Sequence, residues 1–308
     1  MIWRGILSGR WVGVVVAGLV TTCCAALRGQ ELPKIICSTT QVADFARQIV
    51  GDRWLVESVL SPGQDPHLYR TTPNDVEKVS QAKLCLENGW HLEGNDWMGK
   101  LAADAGKPLV ACAEGVMPLL LTAGKEELEI KDPHAWFTPQ NAAVYVRNIL
   151  RGIIELDPEH ADEYQARAEL YLAELRALHV WIVQQVSVIP PGRRVLVTSH
   201  DAFRYFCEAY GFRTAAPAGW STGEEIGGGI TPAKRRESLD SIRQFGVKAI
   251  FVETSVNPKL IRELAREAGV VVGGKLYSDS MGQAGSAGET YIGMMRENVL
   301  TIVNGLRP

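Results

Sequence analysis

A surplus of basic charge is missing from this sequence. Its 308 residues carry 32 Lys and Arg against 35 Asp and Glu, a formal charge of −3 and a pI near 6.1. No basic stripe supplies the electrostatic footprint that nucleic-acid binding needs. Aromatic residues are sparse at 7%. There is no Cys-x-x-Cys, and neither GxGxxG nor HExxH occurs, so the common dinucleotide and zinc-protease texts are absent. What remains, 46% hydrophobic and 22% charged residues, is ordinary for a globular chain and excludes disorder, collagen and coiled coil. The length suggests one large domain or two ordinary ones, with enough chain to bury a core without staples.

Residues 1–26 read as a secretory signal peptide rather than part of the fold. Arg4 and Arg10 precede the apolar run Trp11–Val20, which is too short to span a bilayer, and small residues follow at Thr21–Ala26. Cleavage before Cys23 or Cys24 would leave a lipid-bearing cysteine, although Val20-Thr21-Thr22 is a poor lipobox; cleavage after Ala26 is the alternative. Either way the chain is exported, to the periplasm or the cell surface, with membrane contact limited to that anchor. Removing the segment takes away two arginines and no acid, so the exported chain is more acidic than the whole. Cys37, Cys85, Cys112 and Cys207 remain. The first three sit in short apolar runs on separate strands, where disulfide geometry is rare, so free buried thiols are expected.

Short apolar runs near 34–38, 54–60, 83–86, 108–112, 194–198, 213–216, 248–252 and 270–272 read as strands. Amphipathic stretches near 41–50, 74–81, 95–104, 140–155, 200–210, 233–245, 258–268 and 288–305 read as helices. Alternation at this spacing implies an α/β fold with parallel sheets covered on both faces. Between the halves, about 30 residues from Pro158 to Ser187 contain no internal Gly or Pro. Tyr164, Ala168, Tyr171, Leu175, Leu178, Ile182 and Val186 recur at spacings of three and four, one apolar helix face. At ~1.5 Å per residue this is a rod about 45 Å long. The expected organisation is an N-terminal α/β lobe over 27–156, a connecting helix over 157–189 and a C-terminal α/β lobe over 190–308, joined as two Rossmann-like lobes. An ordinary long helix within one lobe is the alternative.

Two of the six histidines share their surroundings. Asp65-Pro66-His67-Leu68-Tyr69 is followed by Thr72-Pro73, and Asp132-Pro133-His134-Ala135-Trp136 by Thr138-Pro139. Each reads as a stiff loop presenting a histidine, closed by a Thr–Pro pair that starts a helix as N-cap and first residue. His200 stands where an apolar strand gives way to a helix, the strand end that favours ligand sites in open α/β sheets. Asp279, in the loop after the 270–272 strand, supplies a carboxylate. Three imidazoles and one carboxylate make a four-coordinate site for a divalent transition metal. With four protein donors no position stays open for water, so the site suits binding rather than catalysis.

These residues carry a family resemblance. Gly63-Gln64-Asp65-Pro66-His67-Leu68-Tyr69, Asn88-Gly89, Asp132-Pro133-His134-Ala135-Trp136, Ser199-His200-Asp201-Ala202-Phe203-Arg204-Tyr205-Phe206, Ile250-Phe251-Val252-Glu253 and Tyr277-Ser278-Asp279-Ser280-Met281-Gly282 resemble the zinc- and manganese-binding receptors of bacterial ABC importers, the cluster A-I solute-binding proteins. The likeness runs from about Lys34 to the C-terminus. It implies two Rossmann-like lobes bridged by one long helix, with the metal held in the cleft by His67, His134, His200 and Asp279. Zinc, manganese or iron(II) would be the transported ligand, and a membrane permease with its ATPase the partner of a monomeric receptor. Glu253 would stand behind the ligands or be an exposed strand-end acid. The third imidazole leans towards zinc, since carboxylate-rich sites suit manganese better. Against that, Leu121–Lys131 has acids but lacks the histidines of zinc-specialised relatives, and the Gly223–Gly229 loop departs from the usual text.

Two other readings compete. A secreted zinc hydrolase would need an open coordination position and a base, Asp279 or Glu253, beside bound water. A receptor for a metal chelate such as a siderophore would need a wide cleft and no direct ligation. His91, His160 and His179 are expected outside the site, the latter two solvent-exposed on the connecting helix. Gly94–Lys100 and Gly269–Lys275 fit GxxxxGK but are followed by Leu, so neither is a P-loop. Trp90, Trp97, Trp136 and Trp220 either line the cleft or are core. A rigid linking helix implies a small closure, not a wide hinge, and protons should oppose metal below the usual histidine pKa of about 6.5.

Overall fold

Parallel strands buried on both faces read as continuous apolar runs rather than alternating ones, and the strands over 34–37, 84–87, 195–197 and 249–253 largely do. The computed structural model describes residues 31–123, 128–216 and 231–307. In the first half, β1 (Lys34–Cys37), β2 (Leu55–Ser58), β3 (Leu84–Glu87) and β4 (Leu109–Ala111) form a parallel sheet in the order β2-β1-β3-β4. Ile35, Cys37, Leu84 and Leu86 face the main core, while Ile36 and Cys85 face a second core beneath α2 (Pro73–Ser80) and α3 (Trp97–Asp104). The second half repeats this logic. Strands β7 (Val195–Val197) and β8 (Arg213–Ala215) pair in parallel, as do β9 (Ala249–Glu253) and β10 (Val271–Leu276). Leu196, Ala249 and Phe251 face the main core; Val195, Val197, Ile250 and Val252 face α7 (Pro232–Gln244) and α8 (Lys259–Ala268).

The long helix α5 spans Ala161–Val186 and is shorter than expected, about 39 Å. Pro158–His160 is a 3-10 turn instead of its first turn. Its expected apolar face is buried from Tyr164 to Val186. It packs on α1 (Thr40–Val50) and α4 (Pro139–Leu156) from the first half and α9 (Tyr291–Leu306) from the second. His160 and His179 are half-buried rather than exposed: His160 Nδ1 lies 2.8 Å from Asp157 Oδ1, and His179 Nδ1 lies 3.1 Å from the Tyr210 hydroxyl.

Two other differences have local causes. Strand β10 continues past the expected 272 through Gly273 and Gly274, which break the apolar pattern but are needed for packing. A Cβ on Gly273 would stand 2.8 Å from the Phe251 ring. Strands β5 (Leu120–Ala123) and β6 (Leu128–Lys131) form an antiparallel hairpin that the sequence pattern did not reveal. All four described cysteines are free and buried, as expected, and burial raises each thiol, Cys85 to about 11. The signal segment with Cys23 and Cys24, the Gly223–Gly229 loop and Trp220 lie outside the described residues.

Candidate metal centre

The repeated Asp-Pro-His text folds into the same turn twice. The Asp65 carboxylate accepts the backbone N–H of His67 at 2.9 Å, and Asp132 accepts that of His134 at 3.0 Å. Such an Asp side chain mimics a backbone turn two residues on, and the intervening proline fixes φ. Each loop then enters a helix through its Thr–Pro pair. At α2, the Asp75 carboxylate accepts the Thr72 N–H, the Thr72 hydroxyl and the Tyr69 hydroxyl at 2.7–2.8 Å, tying down the chain that leaves His67. At α4, the Thr138 hydroxyl accepts the Asn141 N–H at 3.2 Å. Gly94 completes the first loop: a Cβ there would lie 2.6 Å from the His67 carbonyl oxygen.

Asp132 does more than make a turn. Its Oδ1 also lies 2.8 Å from His134 Nδ1, so the ring presents Nε2 to the interior. Behind His134, Asn88 donates to the Pro133 carbonyl at 3.0 Å and accepts from the Tyr145 hydroxyl at 2.7 Å. His200 is held differently. It lies in the turn between β7 and α6 (Arg204–Tyr210), not in the helix that its pattern suggested. Glu253, at the end of β9, takes its backbone N–H at 2.9 Å through Oε1 and stands 2.6 Å from its Nδ1 through Oε2. Glu253 is 3% exposed, so the exposed-acid reading fails. Asp279 follows β10 in a loop pinned on several sides. Asn298 brackets the Tyr277 peptide, Gln41 donates to the Ser278 carbonyl, Thr40 accepts the Met281 N–H and Ser280 accepts the Gly63 N–H.

These four side chains converge. His67, His134, His200 and Asp279 are all buried, with one donor atom of each within 4.8 Å of every other. His67 Nε2 lies 3.3 Å from His134 Nε2. The Asp279 oxygens lie 3.2 Å from His200 Nε2, 3.5 Å from His134 Nε2 and 4.0 Å from His67 Nε2. Donors ~2.0–2.1 Å from one tetrahedral centre stand about 3.3 Å apart, which this spacing approaches. The donor chemistry and the spacing both fit a divalent transition metal. Among the described residues no other cluster of this kind occurs. His91 is exposed, Trp97 is core, and Trp136 is core with its ring edge-on to His134 at 5.4 Å. Trp90 instead lines a separate cavity of about 490 Å³ with Glu87, Glu93 and Lys131.

The electrostatics differ between these side chains. Burial pushes His67 down to about 3, with the neighbouring imidazoles adding to the effect and Asp279 opposing it. Burial acts the same way on His200, but Asp279 and Glu253 together outweigh it and hold that imidazole well above its usual value. Burial would raise Asp279, yet the three imidazoles, His200 foremost, hold it below the carboxylate range. Sequence reasoning missed the Asp65 and Asp132 turns, Asn88 as a brace and the Asp75 anchor. The first two were signalled by the repeated Asp two residues before each histidine.

A buried three-histidine, one-carboxylate cluster between the loops of two parallel-sheet halves fits a binding protein for a divalent transition metal. The chain belongs to the family described as zinc-uptake complex component A, periplasmic (ZnuA), whose model matches residues 35–305. Similar proteins include the manganese-binding lipoprotein MntA of Halalkalibacterium halodurans, 37% identical over 89% of this chain and 88% of the relative. The manganese ABC transporter substrate-binding lipoprotein PsaA of Streptococcus pneumoniae is 33% identical over 89% and 88%. Among solved structures, the periplasmic zinc-binding protein TroA of Treponema pallidum superimposes with a TM-score of 0.82 at 33% identity, covering 90% of this chain and all of that one.

Proposed function

We infer that this protein is the extracytoplasmic receptor of a metal ABC importer, capturing a divalent transition metal and delivering it to a membrane permease driven by an ATPase. The observation that carries this reading is the convergence of four buried donors drawn from both halves of the chain. We assign His67, His134, His200 and Asp279 as the ligands, with Asp132 and Glu253 orienting two of the rings. The assignment is supported by spacings of 3.2–4.0 Å around one point. We further propose that 27–156 and 190–308 act as two lobes on the α5 connector, that the receptor is a monomer, and that it is held at the membrane by lipid on Cys23 or Cys24. Relatives named as lipoproteins support that anchor.

Four protein donors at full burial leave no place for an attacking water, which speaks for transport rather than hydrolysis. Donors this close leave no room for a chelator between them, which speaks against a siderophore receptor. Three imidazoles favour zinc on softness grounds, whereas the relatives named above include both manganese and zinc binders. The test is metal content after purification and loading with zinc or manganese. One ion per chain, lost in a His67→Ala/His134→Ala variant, is expected. A chain that takes up neither metal would overturn the reading.

A further inference from the structure

Asp132, which orients His134, is itself gripped from the other half of the chain. The short helix α6 begins four residues after His200, and its first two residues reach back to the 119–132 segment. The Tyr205 hydroxyl donates to the Asp132 carbonyl oxygen at 3.1 Å and accepts the Leu119 N–H at 2.9 Å. Arg204 donates to the Leu120 carbonyl at 3.4 Å. Its guanidinium stands 3.8 Å from Asp132 Oδ2 and 3.6 Å from Asp201 Oδ2, so one cation bridges a carboxylate from each half. Asp132 is fully buried, and both His134 contacts go to Oδ1. Its other oxygen has no hydrogen-bond partner, which leaves Arg204 as its counter-charge. A buried carboxylate without a counter-charge is costly, so the grip on Oδ2 and on the carbonyl sets how Oδ1 faces the ring.

We propose that Arg204 and Tyr205 are positioning residues for metal retention, holding the Asp132–His134 pair in its ligating geometry from the half that carries His200. The same six-residue stretch thus presents one ligand, His200, and steadies another, His134. Movement of α6 away from the 119–132 segment loosens both ligands together, which couples separation of the halves to release of the ion. The proposal rests on the receptor reading above and adds the route by which closure is felt at His134.

The test is the rate at which a chelator removes zinc from the loaded full chain, measured beside the melting temperature of the metal-free protein. Tyr205→Phe deletes one hydroxyl and two hydrogen bonds and is the gentler variant; Arg204→Ala removes the bridging cation. Partners behind a ligating histidine typically change affinity by about 10–100-fold. Both variants are therefore expected to bind one zinc per chain but release it about tenfold faster or more, with the metal-free melting temperature little changed for Tyr205→Phe and lowered for Arg204→Ala, which strips the buried Asp132 of its counter-charge. Arg204→Lys, which keeps the charge, is expected to restore part of the retention. Release at the unmodified rate would overturn the proposal. So would a faster release in Tyr205→Phe matched by an equal loss of metal-free stability, since that is general loosening. If the unmodified chain itself binds neither zinc nor manganese, the receptor reading fails first, and that outcome is read before any variant is made; if it binds manganese alone, the release rate is measured with manganese.

Discussion

The two halves of the chain position their proposed ligands by different means. In the first half, His67 and His134 are set first by residues next to them, an aspartate two residues before, a proline between and a Thr–Pro helix start after, with Asn88, Arg204 and Tyr205 bracing the second loop from further away. In the second half, His200 is set by Glu253 on a neighbouring strand, 53 residues on, and Asp279 by contacts to α1, α9 and the 61–67 loop. Short-range devices can be carried by any loop, and they repeat. Long-range ones exist only once the sheet has formed. Local turns therefore shape the first half's candidate ligands, while those of the second half are fixed only once its strands have paired.

The largest effect should come from Asp279, the one donor within 4.0 Å of all three imidazoles. Asp279→Ala leaves three buried histidines without their shared carboxylate. The expected loss in metal affinity is about a thousandfold, a proportionate share of the binding energy of a four-ligand site. Competition titration against a chelator measures it, and a change under tenfold would remove Asp279 from the ligand set.

Next come the orienting carboxylates, and here the halves should separate. Asp132 serves His134 through a single oxygen, so Asp132→Asn can keep both contacts on its amide oxygen. Glu253 uses both oxygens, one on the His200 N–H and one on Nδ1. Glu253→Gln must turn an NH2 group towards one of them, setting donor against donor. Affinity should fall about 10–100-fold for Glu253→Gln and by a smaller factor for Asp132→Asn, whose NH2 group faces Arg204 but leaves both His134 contacts in place. The reverse order would break the comparison.

Protonation sharpens it further. His67 is held near 3 by burial and stays neutral throughout the working range, so it adds no pH dependence there. His200 is raised by Asp279 and Glu253 against the effect of burial, so a proton competes with the cation there to higher pH than at an ordinary imidazole. The cation must displace that proton. Affinity should therefore rise with pH by about tenfold per unit up to the raised pKa of His200, and fall likewise on acidification. Calorimetry in two buffers of different ionisation heat should find about one proton released per metal. An affinity flat from pH 6 to 8 would contradict the assignment. The smallest effect belongs to the helix starts: Thr138→Ala should cost about 1 kcal/mol of stability, read by denaturant unfolding, with affinity nearly unchanged.

This contrast also explains what could be read in the sequence. The strand runs, the buried face of α5 and both Asp-Pro-His loops depend on residues within a few positions of each other, and the structure has them where the pattern predicts. Strand β10 was cut short because Gly273 breaks the apolar run, although its missing side chain is what lets the strand pass Phe251. The β5–β6 hairpin was missed in a stretch read only for its acids and lack of histidine. The helix was expected to begin at about 200, at His200 itself; the Glu253 bond to the His200 N–H holds a turn there instead, and the helix begins at Arg204. The grip of Arg204 and Tyr205 on Asp132 depends on tertiary placement and leaves no mark in local text.

The most direct test of the shared site is X-ray absorption at the metal edge of the zinc-loaded chain, compared with the His200→Ala variant. Three imidazole nitrogens and one carboxylate oxygen at ~2.0–2.1 Å, falling to two imidazoles in the variant, are expected if both halves hold one ion. A coordination shell made mostly of water oxygens, or one unchanged by the loss of His200, would contradict it.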